Sequence, residues 1–107
     1  MAMNGQVIDT RLLGKVQNFR GDEASWQDWS FQFQNYAGAV RPDYPNFLDF
    51  ASAEDREITE DRLTPEAAEA AHQLHYMLAL QCAEAALGIV KLVQAKNGPE
   101  AWRRKAL

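Results

Sequence analysis

The sequence contains little cysteine and no long apolar run. Cys82 is the single cysteine among 107 residues, so an intramolecular disulfide is impossible and we predict a reduced, cytoplasmic location. No stretch of about 18 apolar residues occurs, and we therefore expect neither a membrane span nor a membrane partner. A chain of this length is typical of a single domain with one modest core.

Basic side chains are in the minority. Eleven residues are Lys or Arg, fifteen are Asp or Glu, and the formal net charge is −4. Affinity for nucleic acid that is independent of sequence comes mainly from Lys and Arg. We therefore predict that this chain binds RNA weakly or not at all by itself.

Several patterns that indicate catalysis or metal binding are missing. The six glycines are scattered, which excludes a glycine-rich phosphate loop. His72, His75 and Cys82 lie on one predicted helix, but the paired-cysteine spacing of a structural zinc site is absent. Cys82 and His75 are two helical turns apart, about 10 Å, which is too far for a nucleophile and its base. We expect no metal, no cofactor, no small-molecule substrate and no enzymatic activity.

What the sequence does contain is helical periodicity. In "SWQDWSFQFQNYAGAV" the apolar residues recur at steps of three and four, as on one face of a helix. They are Trp26, Trp29, Phe33, Tyr36 and Val40. We predict that this face is buried; the alternative is a platform on which nucleic-acid bases stack, which the acidic neighbours disfavour. Phe31 lies off this face and indicates a second contact. Ser25 and Asp28 resemble a capping box at the helix start.

A second helical pattern begins at Thr64, with Pro65 at the first helical position. Its apolar stripe consists of Ala67, Ala71, Leu74, Leu78, Cys82, Ala85, Ile89 and Leu92. Gly88 is the weak point of this helix, because Gly in a helix interior is about 1 kcal/mol less favourable than Ala. A kink or a break into two helices is therefore expected at Gly88.

The segments around these helices are less regular. Residues 1–20 lack periodicity and are interpreted as an extended N-terminal arm, anchored by Val16 and Phe19. The stretch "RPDYPNFLDFAS" is predicted to form a short helix or an apolar plug, because its prolines interrupt the first helix. "AEDREITEDRLT" is dense in charge and is predicted to be a solvated loop or a frayed turn. Since no strand pattern occurs, the predicted fold class is all-α, a small bundle of three to five helices over residues 21–107.

The chain closes on "NGPEAWRRKAL", in which Asn-Gly-Pro ends one helix and begins another. So short a helix is marginal by itself, and Trp102 needs cover. Two outcomes are open: Trp102 folds back onto residues 89–93, or it stays exposed and draws chains together. In the second outcome the helix is an interaction surface made of Trp102, Arg103, Arg104 and Leu107. The basic side chains can also complement the negative end of their own helix.

Three elements occur in a fixed order: "FRGDEASWQDWSFQFQNYAGAV", "LHYMLALQCAEAALGIV" and "NGPEAWRR". In this order they resemble the N-terminal region of Gag-like proteins of copia-type LTR retrotransposons. The matching residues are Phe19, Gly21, Trp26, Trp29, Phe33, Tyr36, Leu74, Leu78, Cys82, Ala86, Leu87, Val90, Gly98, Glu100, Ala101, Trp102 and Arg103. Glu84 stands where the family often has Gly, which weakens the expectation of a helix break near Cys82. Lys105 stands where the family usually has Leu, which suggests that the last helix is lost or altered here.

The resemblance implies a structural self-assembly protein, not an enzyme, that forms homo-oligomers and binds RNA only through regions absent from this chain. Since such proteins continue past the Ala-Trp-Arg segment, we expect residues 21–107 to be a capsid-like domain truncated at its C-terminus. The alternative is a domesticated helical interaction module without assembly activity. Together with the helical stripes, the resemblance predicts a core of Trp26, Trp29, Phe33, Tyr36, Leu74, Leu78, Cys82, Ile89 and Trp102.

Overall fold

The computed structural model describes residues 18–106, which form five α-helices. They are α1 (Glu23–Val40), α2 (Tyr44–Ala53), α3 (Pro65–Gln81), α4 (Glu84–Leu92) and α5 (Gly98–Ala106). Two single-turn 3₁₀-helices, Glu60–Arg62 and Gln94–Lys96, precede α3 and follow α4. The predicted all-α class is confirmed. Most of the predicted arm, residues 1–17, lies outside the described residues, and so does its predicted anchor Val16. Leu107 lies outside them as well.

α1 begins earlier than the capping pattern at Ser25 predicted. Asp22 is the N-cap, and its Oδ2 accepts a hydrogen bond from the Ser25 backbone N–H at 3.1 Å. The prediction was wrong because Asp caps a helix as well as Ser does and comes first along the chain. Val40, at the far end of α1, is 39% exposed and does not join the buried face. The buried residues of α1 are Trp29, Phe33 and Ala37.

α2 forms from the proline-containing segment, so the short-helix alternative is the right one. Pro45 lies in its first turn, where a missing N–H is not needed. Tyr44, Leu48 and Ala51 face the core. The Tyr44 hydroxyl donates a hydrogen bond to Oε1 of Gln73, which ties α2 to α3.

The second predicted helix is interrupted at Cys82 and Ala83, not at Gly88. The chain is extended there, and Phe19 runs beside it. The Phe19 N–H donates to the Gln81 carbonyl at 2.9 Å, and the Ala83 N–H donates to the Phe19 carbonyl at 2.8 Å. The end of the arm therefore supplies hydrogen bonds in place of helical ones, which stabilises the break at this point.

The break changes which residues of α4 face the core. Ala86 and Val90 are buried, whereas Ala85 is exposed and Leu92 is 75% exposed. The sequence pattern, taken as one uninterrupted helix, predicted that Ala85 and Leu92 face the core. That expectation is wrong because two extended residues reset the helical phase.

α5 is the central helix of the molecule. It packs against α2 and against both α3 and α4, while α1 packs on α2 and α3 packs on α4. The two pairs α1–α2 and α3–α4 therefore flank α5. Gly98, at the start of α5, permits the contact with α3, because a Cβ at this position would lie 2.5 Å from the His75 backbone nitrogen.

The charged loop between α2 and α3 is attached to α5 through one apolar residue. Ile58 is 1% exposed. Its N–H donates to Oε1 of Glu100 at 2.8 Å, and its carbonyl accepts from Nδ2 of Asn97 at 2.7 Å. The prediction of a solvated loop therefore fails at Ile58, because burying this side chain and its backbone holds the middle of the loop on α5.

Candidate interaction surfaces

Aromatic rings from three segments meet at the centre of the molecule. The ring centres of Trp26 and Trp102 are 5.0 Å apart, and Trp29 stacks on Phe33 at 5.1 Å and on Phe19 at 5.0 Å. Among the predicted core residues, the buried ones are Trp29, Phe33, Leu74, Leu78, Cys82 and Trp102, and the half-buried ones are Trp26, Tyr36 and Ile89. Because these rings pack on one another, they do not offer a free platform for bases.

The interaction surface predicted around Trp102 is not exposed. Trp102 is 3% exposed, and its Nε1 donates a hydrogen bond to Oγ of Ser52 at 2.9 Å. Arg103 is buried and Arg104 is half-buried, whereas Leu107 lies outside the described residues. The helix has folded back, but its tryptophan packs mainly on the rings of α1. Ile89 and Val90 line the same small apolar crevice as Trp102.

Glu100 joins α5 to the charged loop and to two arginines. Its carboxylate accepts from Nε of Arg103 at 2.8 Å and from Nε of Arg104 at 2.7 Å, besides the N–H of Ile58. Burial alone would raise the pKa of Glu100, but these hydrogen bonds outweigh it and lower the pKa to about 2. The two arginines of α5 therefore bind an internal carboxylate and do not form a free cationic tip.

Lys105 stays largely buried at the position where the copia-type pattern has Leu. Its Nζ lies 2.7 Å from Oε1 of Glu23 and 5.5 Å from the centre of the Trp26 ring. The aliphatic part of a lysine can cover apolar rings while the ammonium group reaches a charged partner. Lys105 is therefore accommodated in α5, which continues through Ala106.

The groups considered for catalysis or metal binding lack the partners that such chemistry needs. Burial raises the pKa of the Cys82 thiol to about 11, so the thiol stays protonated at neutral pH and is a poor nucleophile. His75 Nδ1 is buried without a hydrogen-bond partner among the described residues. Within residues 18–106, no group of three or more His, Cys, Asp or Glu side chains is placed to hold a metal ion.

Several large apolar side chains point away from the core. Leu80, Leu92 and Phe31 are 79%, 75% and 68% exposed, and Tyr76 and Phe50 are about half exposed. Each follows a buried residue of its own helix by two positions, which is about 200° around the helix axis. The buried residues are Leu78, Val90, Trp29, Leu74 and Leu48. The fold thus places apolar side chains on its outer faces as well as in its core.

These outward residues lie on two helix pairs, α3–α4 and α1–α2. On the α3–α4 pair, Nζ of Lys96 lies 5.5 Å from the centre of the Tyr76 ring, so the segment that follows α4 lies against the outer side of α3. On the α1–α2 pair, Phe31 lies on α1, and Gln34 of the same helix donates to Oδ1 of Asp49 on α2 at 2.9 Å. Sequence reasoning singled out Phe31 as a second contact but missed Tyr76 and Leu80.

No protein-family model, curated protein or solved structure matches this chain. In the part of the chain that the structure describes, every helix is too short or too polar to cross a membrane. The geometry of the molecule and the sequence resemblance therefore carry the functional interpretation.

Proposed function

We propose that this chain is the capsid-like part of a copia-type Gag protein and acts by self-association. The observation that carries the proposal is the set of large apolar side chains on the outer faces, led by Leu80 and Leu92. Exposed apolar groups bordered by charges are typical of protein–protein contacts. With a net charge of −4, and with Arg103 and Arg104 bound to Glu100, the chain is not suited to hold RNA by itself.

Two features of the motif residues support the proposal. Gly98, Ala101 and Trp102 of the Gly-x-x-Ala-Trp segment are all buried, with Gly98 against α3 and Trp102 among the rings of α1. Glu84 has a φ of +53°, in the left-handed region that favours glycine. This is the position at which the copia-type pattern often has Gly, so the backbone retains a conformation that suits the family residue.

The second candidate function is a helical module that binds a different protein. It is favoured by the burial of α5, because Trp102 and Glu100 are buried and hydrogen-bonded by residues of the same chain. A domain completed in this way does not need a neighbouring copy in order to fold. The exposed apolar faces suit either function, and the identity of the partner separates them.

Light scattering of the full chain over a dilution series tests the proposal. Self-association predicts a mass that rises above 12.1 kDa within a range of about 1 μM to 1 mM. A mass that stays at 12.1 kDa throughout that range would contradict self-assembly and leave the interaction module as the better interpretation. Adding single-stranded RNA at physiological salt should not change the result.

A further inference from the structure

Two outer regions of the molecule differ in charge, and we name them by their residues. The lysine patch, on α3, α4 and the turn that follows, consists of Tyr76, Leu80, Lys91, Leu92 and Lys96. The acidic face, on α1 and α2, consists of Asp28, Phe31, Gln34 and Asp49. Each region has an exposed apolar side chain beside charged ones, and α5 lies between the two helix pairs.

The charge difference extends along α4 after Glu84 and along the turn that follows, but not along α3, which carries Glu66 and Glu69 and no lysine or arginine. Residues 85–99 contain two lysines and no acidic residue, whereas residues 22–53 contain five acidic residues and one arginine. Lys91, Lys96 and Asp28 have no ion pair within the described part of the chain. Their charges are therefore available to a partner, unlike those of Lys105 and Arg103, which are bound internally.

We propose that copies of this chain associate head to tail, with the lysine patch of one copy on the acidic face of the next. The inference rests on the proposed function and specifies which surfaces meet. A two-fold contact through the lysine patch would bring two patches of the same positive charge together, and like charges oppose association. The heterologous contact pairs lysines with carboxylates and Leu92 with Phe31.

The arrangement has a geometric consequence. Because the two regions are different surfaces, each copy that binds through one of them leaves the other free for a further copy. Such a contact forms open chains or rings, whereas a two-fold contact stops at a dimer. A head-to-tail contact therefore suits a protein that builds a structural assembly.

Two variants that each block one region test the inference. Leu80→Ser/Leu92→Ser removes the exposed leucines of the lysine patch, and Phe31→Ser removes the aromatic ring of the acidic face. All three side chains are more than two-thirds exposed, so the variants should fold, which circular dichroism and thermal unfolding verify. Val40→Ser, a change of the same kind at an exposed apolar residue outside both regions, is the matched control.

Light scattering of each variant, alone and mixed, distinguishes the arrangements. Each blocked variant alone should need at least about a tenfold higher concentration than the unmodified chain to associate. An equimolar mixture should form dimers and nothing larger, because one intact patch meets one intact face. The Val40→Ser variant should associate like the unmodified chain.

Three results would overturn the head-to-tail contact. One is a blocked variant that associates as the unmodified chain does, and another is a mixture that stays monomeric. In both cases the unmodified chain still assembles, so the proposed function stands and only the surfaces are wrong. The third is an unmodified chain that remains monomeric, which overturns the proposed function together with the inference.

Discussion

Gly98 of α5 lies so close to His75 of α3 that no side chain would fit between the two helices. Among the glycines of the described residues, none would bring a Cβ nearer to a neighbouring atom. A Cβ on Gly98 would lie 2.5 Å from the His75 backbone nitrogen and 2.7 Å from the Leu74 carbonyl carbon. Both neighbours are backbone atoms of α3, which cannot move aside without shifting the helix. The glycine of the Gly-x-x-Ala-Trp segment is therefore the residue that lets α5 enter the core.

Gly98→Ala should lower the free energy of unfolding by about 1–3 kcal/mol, as overpacking does in a close-packed interior. Gly88→Ala is the matched control, because a Cβ on Gly88 meets nothing within 4 Å and Gly88 lies inside α4. That control should stabilise the chain by about 0.5–1 kcal/mol. Urea unfolding of both variants measures the difference, and equal effects in the two would show that α5 is not closely packed on α3.

Glu100→Gln should destabilise the chain by about 3–5 kcal/mol, because it leaves the buried Arg103 without its anionic partner. Glu57→Gln removes an exposed carboxylate 3.8 Å from Arg104 and should change stability by less than about 1 kcal/mol. Thermal or urea unfolding compares the two. An effect of Glu100→Gln no larger than that of Glu57→Gln would mean that the buried ion pair contributes little.

The same carboxylate predicts a response to acid. The pKa of Glu100 is lowered from 4.5 to about 2, so its contribution to stability is complete above pH 4.5 and is lost as the pH falls towards 2.

His75 affects stability in a higher pH range. Burial lowers the pKa of its imidazole, although a hydrogen bond with the Val90 backbone opposes this, so protonation favours the unfolded chain below its ordinary pKa of 6.5.

Stability should therefore fall between pH 7 and pH 5.5, and His75→Gln should reduce that fall. His72→Gln, three residues earlier on α3, is the comparison variant; because the charge of His72 is the smallest of the contributions to the lowered pKa of His75, this change should alter the fall less than His75→Gln does. Urea midpoints at the two pH values give the comparison. The same slope in His75→Gln and the unmodified chain would assign the effect to another group.

Glu84→Gly should raise the free energy of unfolding by up to about 1 kcal/mol, because a left-handed backbone is unfavourable for residues with a Cβ. Glu84→Ala keeps the unfavourable conformation and, like Glu84→Gly, loses the exposed contact with Arg20 at 3.9 Å. Comparing the two variants isolates the backbone effect. A Gly variant that is no more stable than the Ala variant would rule out strain at this residue.

Helical periodicity alone predicts much of this fold. The four-residue spacing of Trp29 and Phe33 places them on one buried face, and the same holds for Leu74 and Leu78 in α3. Such spacing is a local property and does not depend on the rest of the chain. It could not show that Phe19 lies beside Cys82, because this contact joins residues more than sixty positions apart.

The outer faces were harder to predict for the same reason. Leu92 has core spacing only if α3 and α4 are one helix, and the break that exposes it depends on Phe19. Ile58 lies in a charged run, and its burial depends on Asn97 and Glu100 of a distant segment. The sequence predicts that Trp102 must be buried by other residues, but its hydrogen-bond partner Ser52 lies fifty residues away in sequence.

Hydrogen–deuterium exchange of the full chain at low and high concentration tests self-association through the outer faces most directly. The expected result is slower exchange at high concentration in peptides containing Phe31 and in those covering Tyr76–Leu80 and Leu92, with no change in α5, which is already buried within the chain. Protection that appears in α5 at high concentration, or in none of these peptides, would contradict it.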